Sequence, residues 1–109
     1  MEMIDQLKIN GIDFTSSEYE DETLFLADVR NFIHSYEFMQ LGQAINHKQW
    51  QTAGMKIQKM SAKAKNMGMT GWENLFTGMR QNIARKNDRE ALQILSTMTT
   101  KRVKLLNIL

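Results

Sequence analysis

Few side chains in this chain are equipped for covalent or metal chemistry. It has no cysteine, which removes thiolate nucleophiles, thiolate metal sites and disulfides together. The two histidines, His34 and His47, stand thirteen residues apart and fall in different predicted elements. His34 is placed on or beside the buried face of the first long helix, and His47 in the opening turn of a capped helix. A helical metal site needs further ligands at helical spacing, such as a Glu-x-x-His pair, and no such pair occurs. Gly68-Met69-Thr70-Gly71 carries glycines three apart, but without a preceding strand it reads as a connection between helices, not a phosphate cradle. The expectation is a non-enzymatic chain that uses no metal and no cofactor.

The informative residues are cationic. Residues 38–72 contain Lys48, Lys56, Lys59, Lys63 and Lys65 and no aspartate or glutamate. On a helix, Gln51, Gly54, Met55, Gln58, Ser61, Ala62 and Lys65 fall along one strip beside the buried stripe, with Lys59 and Lys63 close by. Small side chains at 54, 61 and 62 admit the backbone of a partner, and the lysines steer one that carries negative charge. The candidate partner-binding residues are therefore Gln51, Gly54, Met55, Gln58, Lys59, Ser61, Ala62, Lys63 and Lys65. Most of the nine methionines fall on apolar stripes and fill the core, and Trp50 and Trp72 read as core anchors.

The elements that must hold this strip are helices. The chain has no proline and only six glycines in 109 residues, and it is rich in strong helix formers. After an apolar lead-in (Ile4, Leu7, Ile9, Ile12 and Phe14) and a short turn capped by Thr15 with Glu18, Phe25, Val29, Phe32, Tyr36 and Met39 recur at helical spacing. They predict one helix from about Asp21 to Ile45, with Gly42 as its weak point. Capping boxes at Asn46/Gln49, Thr70/Glu73 and Asn87/Glu90 open three more. Their stripes are Trp50, Ala53, Ile57, Met60, Ala64 and Met67; Trp72, Leu75, Phe76, Met79 and Ile83; and Leu92, Leu95, Thr99, Val103 and Leu106. Gly68 stops the first of the three. The predicted fold is all-α, a single domain spanning residues 1–109: an antiparallel up-down-up-down four-helix bundle with a short N-terminal extension.

Charge is divided along the chain. Residues 1–37 hold nine acids against Lys8 and Arg30, a net of −7, and residues 38–109 hold twelve bases against Glu73, Asp88 and Glu90, a net of +9. An antiparallel bundle places the acidic first helix beside basic neighbours. No apolar run approaches the roughly 20 residues that span a bilayer, so no membrane partner is expected. The acidic start, Met1-Glu2-Met3-Ile4-Asp5, lacks the basic region of a secretory signal, and the expected location is the cytoplasm.

Several segments together resemble a known family. They are Gly11-Ile12-Asp13-Phe14, Leu24 to Phe32, Leu41 to Ala44 followed by Trp50, Trp50 to Met60 continuing to Gly68, Met79 to Asp88, and Ala91 to Leu95. Across nearly the full length they are similar to the histidine-containing phosphotransfer (HPt) domains of bacterial phosphorelays. The family's central helix carries an Ala-His-x-Leu-Lys-Gly core, its histidine eight residues after an aromatic and ten before a glycine. Counting from Trp50 and back from Gly68 reaches the same residue, Gln58. The family's lysine three residues on is Ser61 here, and its glycine four on is Ala62. An imidazole nitrogen can attack a phosphoryl group, whereas an amide nitrogen is delocalised into its carbonyl and can only hydrogen-bond one. His47 lies eleven residues from Gln58, about 16 Å along a helix. The resemblance thus implies a module of two-component signal transduction that docks a response-regulator receiver domain or a histidine kinase through the Gln58 face without accepting phosphate. The alternatives are a competent relay protein using another histidine, and a basic helical adaptor for nucleic acid or protein; nucleic acid is not the expected partner.

Overall fold

In a computed structural model that describes residues 2–109, the chain folds into six α-helices with no strand among the described residues. They are α1 (Met3–Ile9), α2 (Glu22–Ile33), α3 (Glu37–Asn46), α4 (Trp50–Asn66), α5 (Glu73–Ala84) and α6 (Asp88–Leu106), with 3-10 turns at Phe14–Ser16 and Thr70–Trp72. Four helices close a ring of neighbours: α3 packs on α4, α4 on α5, α5 on α6, and α6 back on α3. Helix α2 leans on α6 from outside this ring. None of the described helices is long and apolar enough to cross a membrane.

The core centres on Trp72, which is fully buried with Phe38 and Phe76 at ring distances of 6.2 Å each. Its indole N–H has no hydrogen-bond partner, so the residue serves its site through its ring and not its polar atom. Phe14, Tyr19 and Phe25 form a second aromatic group under the N-terminal segment. There the Tyr19 hydroxyl donates to the Asp28 carboxylate at 2.6 Å.

Helices α1, α3, α4 and α5 end alike. The residue after each C-cap is left-handed: Gly11 (φ +85), Lys48 (φ 54), Gly68 (φ +68) and Lys86 (φ 57). The next amide then reaches back to a carbonyl of the last turn: Ile12 to Leu7, Gln49 to Ala44, Met69 to Ala64, and Asn87 to Asn82. This pairing satisfies carbonyls that would otherwise be orphaned. Two of the expected caps are displaced by it. Asn46 is the last residue of α3, and α4 starts at Trp50 without a side-chain cap. Thr70 opens a 3-10 turn, so α5 starts only at Glu73. Of the Asn87 box the cap forms, its side chain accepting from the Glu90 amide while its own backbone amide goes to Asn82, and Asp21 caps α2. The apolar lead-in forms a short helix (α1), and Asp13 rather than Thr15 caps the turn that follows it. Asp13 accepts from the hydroxyls of Thr15 and Ser16 and the Thr15 amide, which holds its carboxyl below the usual carboxylate range, the Thr15 hydroxyl contributing most.

The continuous helix expected from Asp21 to Ile45 is broken at residues 34–36. The Ser35 hydroxyl donates to the Phe32 carbonyl and accepts from the Glu37 amide, competing with helical bonding. Arg102 of α6 seals the break, its Nε donating to the Ile33 carbonyl at 2.6 Å and its Nη2 to Ser35 at 3.4 Å. The break resets the helical phase. Tyr36 and Met39, expected inside, are 73% and 55% exposed, and α3 buries Phe38, Leu41, Ala44 and Ile45 instead. His34, expected beside the buried face, is exposed. Gly42 is no weak point: α3 runs through it, and a Cβ there would lie 3.0 Å from Leu95. Helix α6 is also rotated from expectation. It buries Ala91, Met98 and Leu105 while Thr99 and Val103 face solvent, an orientation that lays Arg102 over Phe38 and Lys101 over Trp72.

The N-terminal segment is stitched to the α4–α5 connection by backbone. Asp13 N–H donates to the Gly68 carbonyl, Gly71 N–H to Gly11, and Glu18 N–H to Asn66. A Cβ on Gly71 would fall 2.6 Å from the Gly11 Cα, and one on Gly68 would overlap the Asp13 carbonyl. Gly71→Ala is therefore expected to lower stability by about 2 kcal/mol, because backbone on both sides must separate; urea unfolding against wild type measures it. A second prediction concerns Tyr19, whose hydroxyl is pushed up from its ordinary 10 to about 12, by burial first and then by the hydrogen bond and charge of Asp28. The folded state favours the protonated phenol. Its contribution is intact below pH 10 and drains as pH rises from 10 toward 12. A Tyr19→Phe variant is expected to lack the late phenolate absorbance step and to lose less stability than wild type across that window.

Candidate functional site

The four buried residues of α4, Ala53, Ile57, Met60 and Ala64, fix its rotation about its own axis. Gln58 is one residue beyond Ile57, about 100° round the helix, and is exposed. The strip containing it is shared between two grooves. Gln51, Gly54 and Gln58 face α5 across an open groove of about 600 Å³, whose apolar lining comes from Trp50, Ile57, Ile83 and Ala84. Arg80 and Lys86 supply its cations, and no carboxylate lines it. Past Arg80 the cleft continues as a second hollow of about 320 Å³ holding Ser61, Lys65, Thr77 and Glu73. On the other side of α4, Thr52, Lys56, Lys59 and Glu37 line a smaller hollow of about 250 Å³ toward α3. Met55 is the crest between the two sides, 56% exposed and lining both.

The lysines differ in what they are free to do. Lys63 pairs with Glu37 at 2.9 Å, and Lys56 donates to the Gln40 side chain at 2.8 Å, so both bridge α4 to α3. Among the described residues Lys59 and Lys65 have no ion pair, and they keep their charge for solvent or a partner. Ala62 is exposed and lines none of these hollows. The nine candidate residues thus share one helix but not one surface: Gln51, Gly54, Gln58, Ser61 and Lys65 turn to α5, Lys59 turns to α3, and Lys63 is held by Glu37.

Arg80 and Lys86 are the residues that sequence reasoning missed. Only the buried stripe of α5 was legible, and Arg80 sits one turn from both Phe76 and Ile83, on the edge of that stripe. A cation at i+4 from a core aromatic was the available signal. Neither histidine joins the groove: His34 and His47 are exposed at the C-terminal ends of α2 and α3.

Chemically, the Gln58 amide can donate and accept hydrogen bonds and nothing more. No group of three or more potential metal ligands occurs among the described residues. The arrangement can recognise anions and apolar side chains together. No family model matches the chain, and no curated protein or solved structure matches it.

Gly54 yields a prediction about stability. An added Cβ would meet only Ile83, at an ordinary 3.8 Å, while a mid-helix glycine costs about 0.5–1 kcal/mol relative to alanine. Gly54→Ala is expected to stabilise the protein by that amount, visible as a Tm raised by a few degrees in a thermal melt.

Proposed function

We propose that this protein is a degenerate HPt-like module, an up-down-up-down bundle of α3 to α6 with α1 and α2 as its extension, that docks a receiver domain or the corresponding kinase region without accepting phosphate. The observation that carries the reading is the position of Gln58. It is exposed at the middle of α4, eight residues after Trp50 and ten before Gly68, where the resembling family keeps its reactive imidazole. An inward-facing residue 58 would have removed the basis for the comparison. The surroundings favour an anionic partner as well, since Lys59, Lys65, Arg80 and Lys86 flank the site and receiver phosphorylation pockets are rich in carboxylates. With glutamine in place of histidine, the module binds and competes; it does not relay.

Receiver domains encoded near the gene are the first partners to test, by calorimetry with purified protein. Wild type is expected to bind, and Gln58→Glu, which sets a carboxylate against a carboxylate-rich partner at the centre of the face, to weaken binding by about tenfold or more. Incubation with a phosphorylated receiver is expected to leave no acid-labile phosphate on the protein. Label on wild type that disappears in His47→Ala would transfer the reading to a competent relay.

A further inference from the structure

We infer that the groove between α4 and α5 receives an acidic amphipathic helix of a partner protein, its apolar side over Gly54 between Trp50 and Ile83 and its carboxylates on Arg80 and Lys86. The inference rests on the docking reading above and assigns both the contact surface and the partner's chemistry.

Charge complementarity comes first. The groove has an apolar lining, two cations and no carboxylate. Arg80 stands in the last two turns of α5 and Lys86 just past its C-cap, both lining the groove, so acids spaced along one face of a helix laid in it would meet both. Trp50 to Gln58 spans about 12 Å of α4, a little over two turns, which is the length such a helix would cover. Two packed helices present a furrow that a third helix fills at 8–10 Å between axes, which a bulkier element would not approach.

Gly54 supplies the second line. Three glycines lie inside helices of the ring. A Cβ on Gly42 would press on Leu95 at 3.0 Å and one on Gly78 on Ile94 at 3.2 Å, so packing within the chain accounts for both. A Cβ on Gly54 would crowd nothing. The fold has room for alanine there and would gain from it, yet the residue is glycine, at the floor of the groove. Its missing side chain serves contact with something outside the chain. Two cations around an apolar floor suit carboxylates on an apolar helix better than a phosphodiester backbone, which is bound by many cations at once.

The test uses a fluorescein-labelled, end-capped helical peptide with leucines spaced three and four apart and glutamates flanking them, followed by anisotropy at low salt. Saturable binding is expected. Arg80→Glu with Lys86→Glu should weaken it by about tenfold or more, Gly54→Leu should weaken it similarly with the helix content unchanged, and Lys104→Glu, an exposed α6 change remote from the groove, should leave it unaltered. No saturation by about 1 mM, equal affinity for a peptide with lysines in place of glutamates, or equal loss in Lys104→Glu would overturn the proposal. Salt-sensitive self-association of the protein in sedimentation would reassign the groove to a second copy, and displacement of the peptide by equimolar single-stranded DNA would reassign it to nucleic acid. Peptide binding without receiver binding removes the phosphorelay reading alone. Receiver binding indifferent to the Arg80→Glu, Lys86→Glu pair removes the groove alone.

Discussion

Backbone packed directly on backbone at the Gly11–Gly71 contact is the constraint on which the rest of the molecule depends. The two segments approach so closely that a Cβ on Gly71 would lie 2.6 Å from the Gly11 Cα, and Gly71 donates to the Gly11 carbonyl at 3.0 Å. One residue later the chain delivers Trp72 to the middle of the core, and three residues earlier Gly68 turns it out of α4. With no side chain at the contact, there is no rotamer through which it can relax. The exit from α4 and the entry to α5 are thereby set in one place, and the furrow between those helices follows from it.

Electrostatics then divides the surface. The acid-rich first third and the base-rich remainder meet at the Glu37–Lys63 ion pair, while Lys56 is held by the neutral Gln40 side chain. The Lys63–Glu37 pair is partly exposed and worth little as stability. Its larger effect is on availability, since it withdraws one cation from the strip while Lys65 and Arg80 remain along the α5 side. A strip that looks uniform along the helix becomes two unlike faces once its neighbours are in place.

The helical class, the buried stripes of α4 and α5 and the outward position of Gln58 could all be read from residue spacing. Each is set by periodicity within one segment, where a 3.6-residue repeat admits a single burial pattern. The failures share an opposite cause. The break after Ile33 is sealed by Arg102, and the rotation of α6 sets its cations over Phe38 and Trp72, partners dozens of residues distant. Lysines in left-handed positions at 48 and 86 carry no local signature, because glycine or asparagine is the usual occupant. The grooves could not be read either, since each is made by two helices and belongs to neither.

By itself, then, the order of residues determined that the chain coils and which faces of α4 and α5 turn inward, because those depend on near neighbours and on the aversion of apolar groups to water. Only the assembled structure decided where helices stop, which lysines keep free charge and that Arg80 and Lys86 stand opposite Gln58. Those outcomes depend on distances between atoms far apart in the chain, which periodicity within one helix does not encode.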